Sequence, residues 1–406
     1  MFIFSAAIGA LIGAVIWGFL RVMNLGIDLL WHTLPHFLGD GFLFTLWPVL
    51  LCGIGGLVIG YFQKTWGPYP EELPVVMAKK KQNGVYPYDR IPQMLVAAML
   101  PLLFGAALGP EAGLTGVIVG LCCWAGDNFK FAGKTLPELA DVGFSATLSV
   151  LFGSPLFGFV MPVEEDIYAD KEVKLPKSTK TFAVFCAIFG GLVACMLLGR
   201  IFGGGAGLPR FGDAAVDKQD ILLMFPVVLI GVVYGLLFKG SEKALHKWTA
   251  PLQKYPIALA LGGGLLLGAT GIFFPIAMFS GEHEMSVLME EYLLYTPLML
   301  FVIAAVKMIL INVCLSCGWR GGHFFPAIFA GVCVGFACAM VMPIDPVFSC
   351  AVATAAVMTT VMRKPLAVAM LLMLCFPVNC LFYLIGASFL AALIPDVFGG
   401  KVHENA

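Results

Sequence analysis

Glycine, proline and carboxylate interrupt three stretches of this chain that are otherwise apolar enough to sit in lipid. They are Gly109-Pro110-Glu111-Ala112-Gly113, Gly153-Ser154-Pro155 running on to Glu164-Glu165, and Gly321-Gly322-His323-Phe324-Phe325-Pro326. A helix broken inside a membrane leaves backbone N–H groups without partners, which is tolerated only where protein or a water-filled cavity satisfies them. The N-terminal ends of the resulting half-helices carry partial positive charge. The pattern predicts a permeation site inside a helical bundle, with an anion as its natural guest.

Residues that are 60% hydrophobic and only 12% charged leave too little polar surface for a soluble globule. Apolar stretches near 1–20, 41–63, 92–124, 142–163, 181–202, 221–238, 256–280, 296–317, 324–343, 347–373 and 376–394 each approach the length that crosses or deeply enters a bilayer, about 20 residues. Several can hold two tilted or broken helices, so the expectation is an all-α, polytopic membrane protein. The opening segment lacks a basic n-region and is expected to be a retained helix. The end at Ala406, soon after the last apolar stretch, gives the expectation of no appended soluble regulatory domain. A net charge of −1 offers no electrostatic case for nucleic acid. The twelve cysteines, including Cys122-Cys123 and the Cys314/Cys317 pair, lie almost all in apolar stretches without paired metal-ligand spacing and behave as small hydrophobes.

Lysine concentrates in a few connections: Lys79-Lys80-Lys81; Lys171, Lys174, Lys177 and Lys180; Lys239, Lys243 and Lys247. The positive-inside rule puts these on the cytoplasmic side, and the glycine-rich 203–213 and acidic 281–292 segments outside. Phe152-Gly153-Ser154-Pro155-Leu156 is similar to Met362-Arg363-Lys364-Pro365-Leu366, with the prolines 210 positions apart, and Glu111 and Phe324 lie 213 apart. Two unrelated features sharing nearly one offset predict two diverged repeats, residues 1–203 and 204–406, each contributing an interrupted helix.

The breaks can be read for chemistry. Glycines before Phe324 let a ligand approach the backbone, and the N–H groups of His323 and Phe324 are the orphan donors of that helix start. An ordinary glycine turn is the alternative. His323 has no histidine or carboxylate partner at metal-ligand spacing, and no metal or cofactor is expected. Glu111, followed by a long apolar run, is costly if charged and unpaired, so it is either protonated or substitutes for a bound anion at positive helix ends. The alternative is an interfacial glutamate capping a helix. Glu164 and Glu165 end the helix that begins near Pro155, and Asp166 and Asp170 favour a plain solvated helix end there.

The stretch from Lys307 to Gly335, with Ser316-Cys317-Gly318 and Gly322-His323-Phe324-Phe325-Pro326, resembles the CLC family signature in which a G-x-F-x-P loop opens a helix. Phe152-Gly153-Ser154-Pro155-Leu156-Phe157-Gly158 through Glu164-Glu165 is similar to that family's F-N-A-P-L-A-G segment with its carboxylate pair. Gly109 to Gly113 resembles its G-R-E-G-P, and Arg363-Lys364-Pro365-Leu366 its R-x-P-L. Order and spacing agree over nearly the whole chain, save an expected missing N-terminal helix.

The resemblance implies an inverted-repeat homodimer with one pore per subunit, in a cell membrane, most simply the bacterial inner membrane. It implies anion/proton antiport, not enzymatic catalysis. Glu111 would be the gating and proton-exchanging carboxylate, and Glu165 the carboxylate that takes protons from the cytoplasm. Gly67, Pro68, Tyr69, Gly109, Pro110, Ala112, Gly113, Gly322, His323 and Phe324 would bind the anion, His323 through its main chain.

Departures from the pattern bear on selectivity. Aligned on Pro70, the family's G-S-G-I-P serine is Gly67 here; Pro110 and Gly113 replace the residues flanking the family's glutamate; Leu374 stands where a second-half glutamate follows R-x-P-L. The pore tyrosine has no clear match, Tyr383 lying upstream of its position. Chloride or a similar monovalent anion is the default guest, with a fluoride-selective exchanger or a passive anion channel of the same fold as alternatives. A transporter of a small organic substrate, or a membrane enzyme using Glu164, Glu165 and His283, is the competing class.

Overall fold

The computed structural model describes residues 2–37, 41–71, 75–76, 86–128, 136–168 and 178–398. Lys79-Lys80-Lys81, Lys171, Lys174 and Lys177 lie outside the described residues, as do the side chains of Glu165 and Lys180. The regular elements of the described residues are helices, as the apolar stretches predict. In the first half run α1 (Phe2–Ile27), α2 (Phe42–Trp66), α3 (Ile91–Leu103), α4 (Glu111–Asn128), α5 (Leu136–Phe152), α6 (Phe157–Tyr168) and α7 (Ser178–Phe202). The second half holds α8 (Lys218–Thr249), α9 (Pro256–Phe273), α10 (Glu282–Glu291), α11 (Pro297–Ser316), α12 (Phe324–Val341), α13 (Pro346–Met362), α14 (Pro365–Leu372) and α15 (Leu381–Leu393). Seven helical segments among the described residues are long and apolar enough to cross a membrane, and shorter apolar helices such as α3, α4 and α13 accompany them. The protein is a multi-pass membrane protein.

Glycine sets how closely the helices approach. Water supplies little drive for two helices to associate in lipid, so small residues that let backbones touch take over that role. Gly9 and Gly13 of α1 lie against the Ala187 and Gly191 carbonyls of α7, and a Cβ on either would stand 1.9 and 2.2 Å from those oxygens. Gly56 and Gly60 of α2 meet Ala260 and Ile257 of α9 in the same manner. Gly9→Val therefore has to push α1 off α7 backbone rather than shift a side chain. It is expected to cost about 2–3 kcal/mol of stability, read as a lower thermal unfolding midpoint in detergent; an unchanged midpoint would contradict the contact.

α12 is the centre of the bundle, with every residue from Phe324 to Cys338 buried. A helix apolar on all sides needs protein on all sides. α13 provides one such wall, where Gly331 and Gly335 rest on Thr354 and Cys350. Caps hold the helix ends around it. Asp217 accepts from the Gln219 and Asp220 amides to open α8, and Asp345 accepts from the Phe348 amide to open α13. Asp220 in turn accepts from the Asp345 amide at 2.9 Å, tying the two starts together.

Candidate anion and proton site

Two breaks 213 residues apart in sequence meet at the N-terminus of α12. After α3 the chain turns through Gly105, whose φ of +79° is open to glycine at little cost, and runs extended to Pro110. After α11 it turns through Gly318, φ +85°, and runs extended to Gly322. Trp319, fully buried, fixes the second run by donating its indole N–H to the Ala260 carbonyl at 2.9 Å. The two runs pair through reciprocal hydrogen bonds, the Gly109 amide to the Gly322 carbonyl and the Gly322 amide to the Gly109 carbonyl, each 2.8 Å. Backbone that a helix would have satisfied is thus satisfied across the break, as burial demands.

Glu111 opens α4 beside this junction and is 3% exposed. Its Oε1 accepts from the Phe324 amide at 2.7 Å, so the carboxylate occupies the donor end of α12. Its Oε2 is buried and has no hydrogen-bond partner among the described residues. Glycine is required on both flanks. A Cβ at Gly322 would lie 1.9 Å from the carboxyl carbon of Glu111, and one at Gly109 would lie 2.0 Å from Oε2. A negative group held by an orphan amide at a helix start is where helix-end electrostatics favours it most.

Aromatic rings close one side of the junction. Phe152, at the end of α5, stacks on Phe325 with centroids 4.6 Å apart, and Phe157 at the start of α6 lies edge-on to Phe152 at 5.3 Å. Phe324 sits 5.9 Å from Phe152 and 6.3 Å from Phe157. Gly153-Ser154-Pro155, the third break, therefore carries rings to the start of α12. Ser154 is fully buried and donates its hydroxyl to the Met370 carbonyl of α14.

Glu164 does not end in solvent. It is 4% exposed and its carboxylate accepts from the amides of Leu366, at 3.0 Å, and Ala367, the first turn of α14. The expectation of a solvated helix end fails for this residue because the start of α14, some 200 residues on, supplies donors that local sequence does not reveal. The side chain of Glu165 lies outside the described residues.

The remaining predicted ligands divide. Pro110 and Ala112 are buried beside Glu111, and Gly113 packs α4 onto α3, where a Cβ would meet that of Ala98 at 2.2 Å. His323 lies against the rings of Phe238, at 5.5 Å, and Phe324, at 4.9 Å. Gly67, φ +95°, closes α2, and the Tyr69 amide donates back to the Gly67 carbonyl. Gly67 and Tyr69 hydrogen-bond with Gln63 and with each other, Tyr69 also packs against the core, and Pro70 lies near Gly113 of α4. Tyr383 packs on Phe348 at the start of α13, which runs antiparallel to α12, so it stands at the far end of α12 from Phe324.

One buried cation was not singled out by sequence reasoning. Lys307, in the middle of α11, is fully buried and donates to the carbonyls of Met278 and Phe279, each at 2.7 Å, with its ammonium 5.1 Å from the centre of the Phe329 ring. A lone lysine in an otherwise apolar spanning helix is itself the signal, since such a charge must find partners.

The family model described as voltage gated chloride channel matches residues 55–396 of this chain. The chain belongs to the CLC family. Proteins of Shigella flexneri and of Escherichia coli strain K12, both provisionally named ion-transport protein YfeO, are 27% identical over 336 residues, covering 82% of this chain and 77% of theirs. Among solved structures, a slow cyanobacterial Cl−/H+ antiporter superposes with a TM-score of 0.81 at 18% identity, over 98% of this chain and 94% of that one. A CLC-type fluoride/proton antiporter gives 0.77 at 18% identity, over 97% and 94%. The structural likenesses establish the fold, and the family is one of transporters and channels.

Proposed function

We propose that this CLC protein exchanges a monovalent anion, chloride by default, for protons. The observation that carries this is the Glu111 carboxylate on the Phe324 amide, in a cradle that two glycines leave just large enough. A carboxylate and a small anion compete for the same donors, so ionised Glu111 blocks the path; once protonated it loses its charge-assisted hold, leaves, and carries one proton. Gly109, Pro110, Ala112, Gly113, Gly322, His323 and Phe324 line the anion's place, with Gly67, Pro68 and Tyr69 at its entry. Glu165 relays protons from the cytoplasmic side. The two halves, 1–203 and 204–406, are inverted repeats, and the protein works as a homodimer in the bacterial inner membrane. It catalyses no covalent chemistry.

The test is flux in proteoliposomes. An outward anion gradient is expected to drive protons inward against their own gradient, and Glu165→Gln to remove that proton movement without stopping anions. Anion flux that ignores a pH gradient in the wild type would make the protein a passive channel. Unchanged coupling in Glu165→Gln would remove Glu165 from the relay. Chloride and fluoride compared in the same assay identify the preferred anion.

A further inference from the structure

α10 is a short acidic helix set between two apolar spans, and is itself no candidate to cross a membrane. The turn that leads into it is clamped to the Glu111 site. Phe279, at φ +56°, donates its amide to the Gly105 carbonyl at 3.2 Å, where the chain leaves α3 on its way to Glu111. Lys307 holds the Met278 and Phe279 carbonyls from α11. Gly281, at φ +93°, presses on Phe329 of α12, where a Cβ would stand 2.6 Å from that of Phe329. The turn that opens α10 at Glu282 thus touches both the run leading to Glu111 and α12, the two elements that build the site.

The charges acting on Glu282 come from its own helix and from the start of α4. Glu284 lies on its own helix and Glu111 at the start of α4; both raise its proton affinity. Lys307 on α11 faces Glu284, and α12 carries no charged residue, presenting Phe329 and Cys333 to that lysine. The run from Ala106 to Pro110 has no titratable side chain. Burial first, then the negative charges of Glu284 and Glu111, push Glu282 up to about 8, where a carboxyl both takes and gives protons near neutral pH. Glu111 Oε2, buried and without a partner among the described residues, is an acceptor awaiting one.

We propose that Glu282 is the proton donor and acceptor for Glu111 on the α10 face of the protein. The O–H bond of protonated Glu282 breaks as one forms at Glu111 Oε2, directly or across one water; the negative charge passes to Glu282, which takes a fresh proton from solution. The reverse sequence releases a proton. This rests on Glu111 being the exchanging carboxylate.

The experiment is anion-driven proton movement in proteoliposomes as a function of pH on the α10 face, for wild type, Glu282→Gln, Glu282→Asp, Glu111→Gln and, as a control on the exposed side of α10, Glu290→Gln. Glu282→Gln is expected to slow proton movement about tenfold, equal to about 1.4 kcal/mol of barrier, while anions still flow and Glu290→Gln matches wild type. Glu282→Asp keeps the acid but withdraws it, so an intermediate rate with a displaced pH profile is expected. Proton movement and pH profile equal to wild type in Glu282→Gln overturn the proposal. If that variant does not fold, an unchanged rate and profile in Glu282→Asp overturn it. Should Glu111→Gln still move protons, the underlying assignment of Glu111 fails instead, an outcome visible apart from the Glu282 variants.

Discussion

Glu111→Gln is expected to bring proton movement to background, a fall of about a hundredfold or more, while anions continue to cross. With no anion bound, the amide oxygen of glutamine can accept from the Phe324 amide, as Oε1 of Glu111 does at 2.7 Å, so shape and packing survive; being neutral, it yields that donor to an arriving anion. What is lost is a group that changes charge. A carboxylate competes with an anion for the donor when ionised and yields when protonated; an amide does neither on a pH cycle. Paired pH and anion recordings on one liposome preparation read both quantities. Proton pumping that persisted would remove Glu111 as the shared gate.

Gly322→Ala is expected to uncouple the protein with little loss of stability. The added Cβ would sit 1.9 Å from the Glu111 carboxyl carbon, and that carboxyl is the far end of a flexible side chain, free to swing away. The backbone need not move, unlike at Gly9, where the obstacle is the α7 carbonyl. Expelling the carboxylate gives up a charge-assisted hydrogen bond worth about 1.5–3 kcal/mol, largely offset because a buried carboxylate with an unpartnered oxygen leaves its desolvated place, and it leaves the Phe324 amide open to anions. The outcome is faster, weakly coupled anion flux at a near-normal unfolding midpoint. Tight coupling in Gly322→Ala would mean the carboxylate can keep its place despite the methyl group, which the cradle forbids.

Much of the site was legible because its chemistry is local to the breaks. Glycine at 109 and 322 and a carboxylate at 111 conflict with an unbroken apolar helix, and the structure brings all three together around the Phe324 amide. The matched offset of Glu111 and Phe324 reads as repetition and carries no contact; the hydrogen bond between them is what the structure adds. Roles set by distant partners were not legible. Glu164 sits in a run of acids that reads as a wet helix end, yet amides of α14 claim it. Lys307 was hidden inside a motif recognised by its neighbours, and its acceptors, the Met278 and Phe279 carbonyls, come from a turn that no pattern marks. In the turn aligned on Pro70, that proline lies near Gly113 of α4, a contact set by the fold and not by the local motif.

The claim on which the account stands is that Glu111 and the transported anion occupy one place, the donor end of α12. Anomalous diffraction from crystals of Glu111→Gln soaked in bromide, a chloride stand-in with a strong signal, tests it most directly. The account predicts a bromide peak within hydrogen-bonding distance of the Phe324 nitrogen, with the substituted side chain moved aside. Bromide bound only elsewhere, with that side chain still accepting from Phe324, would contradict it.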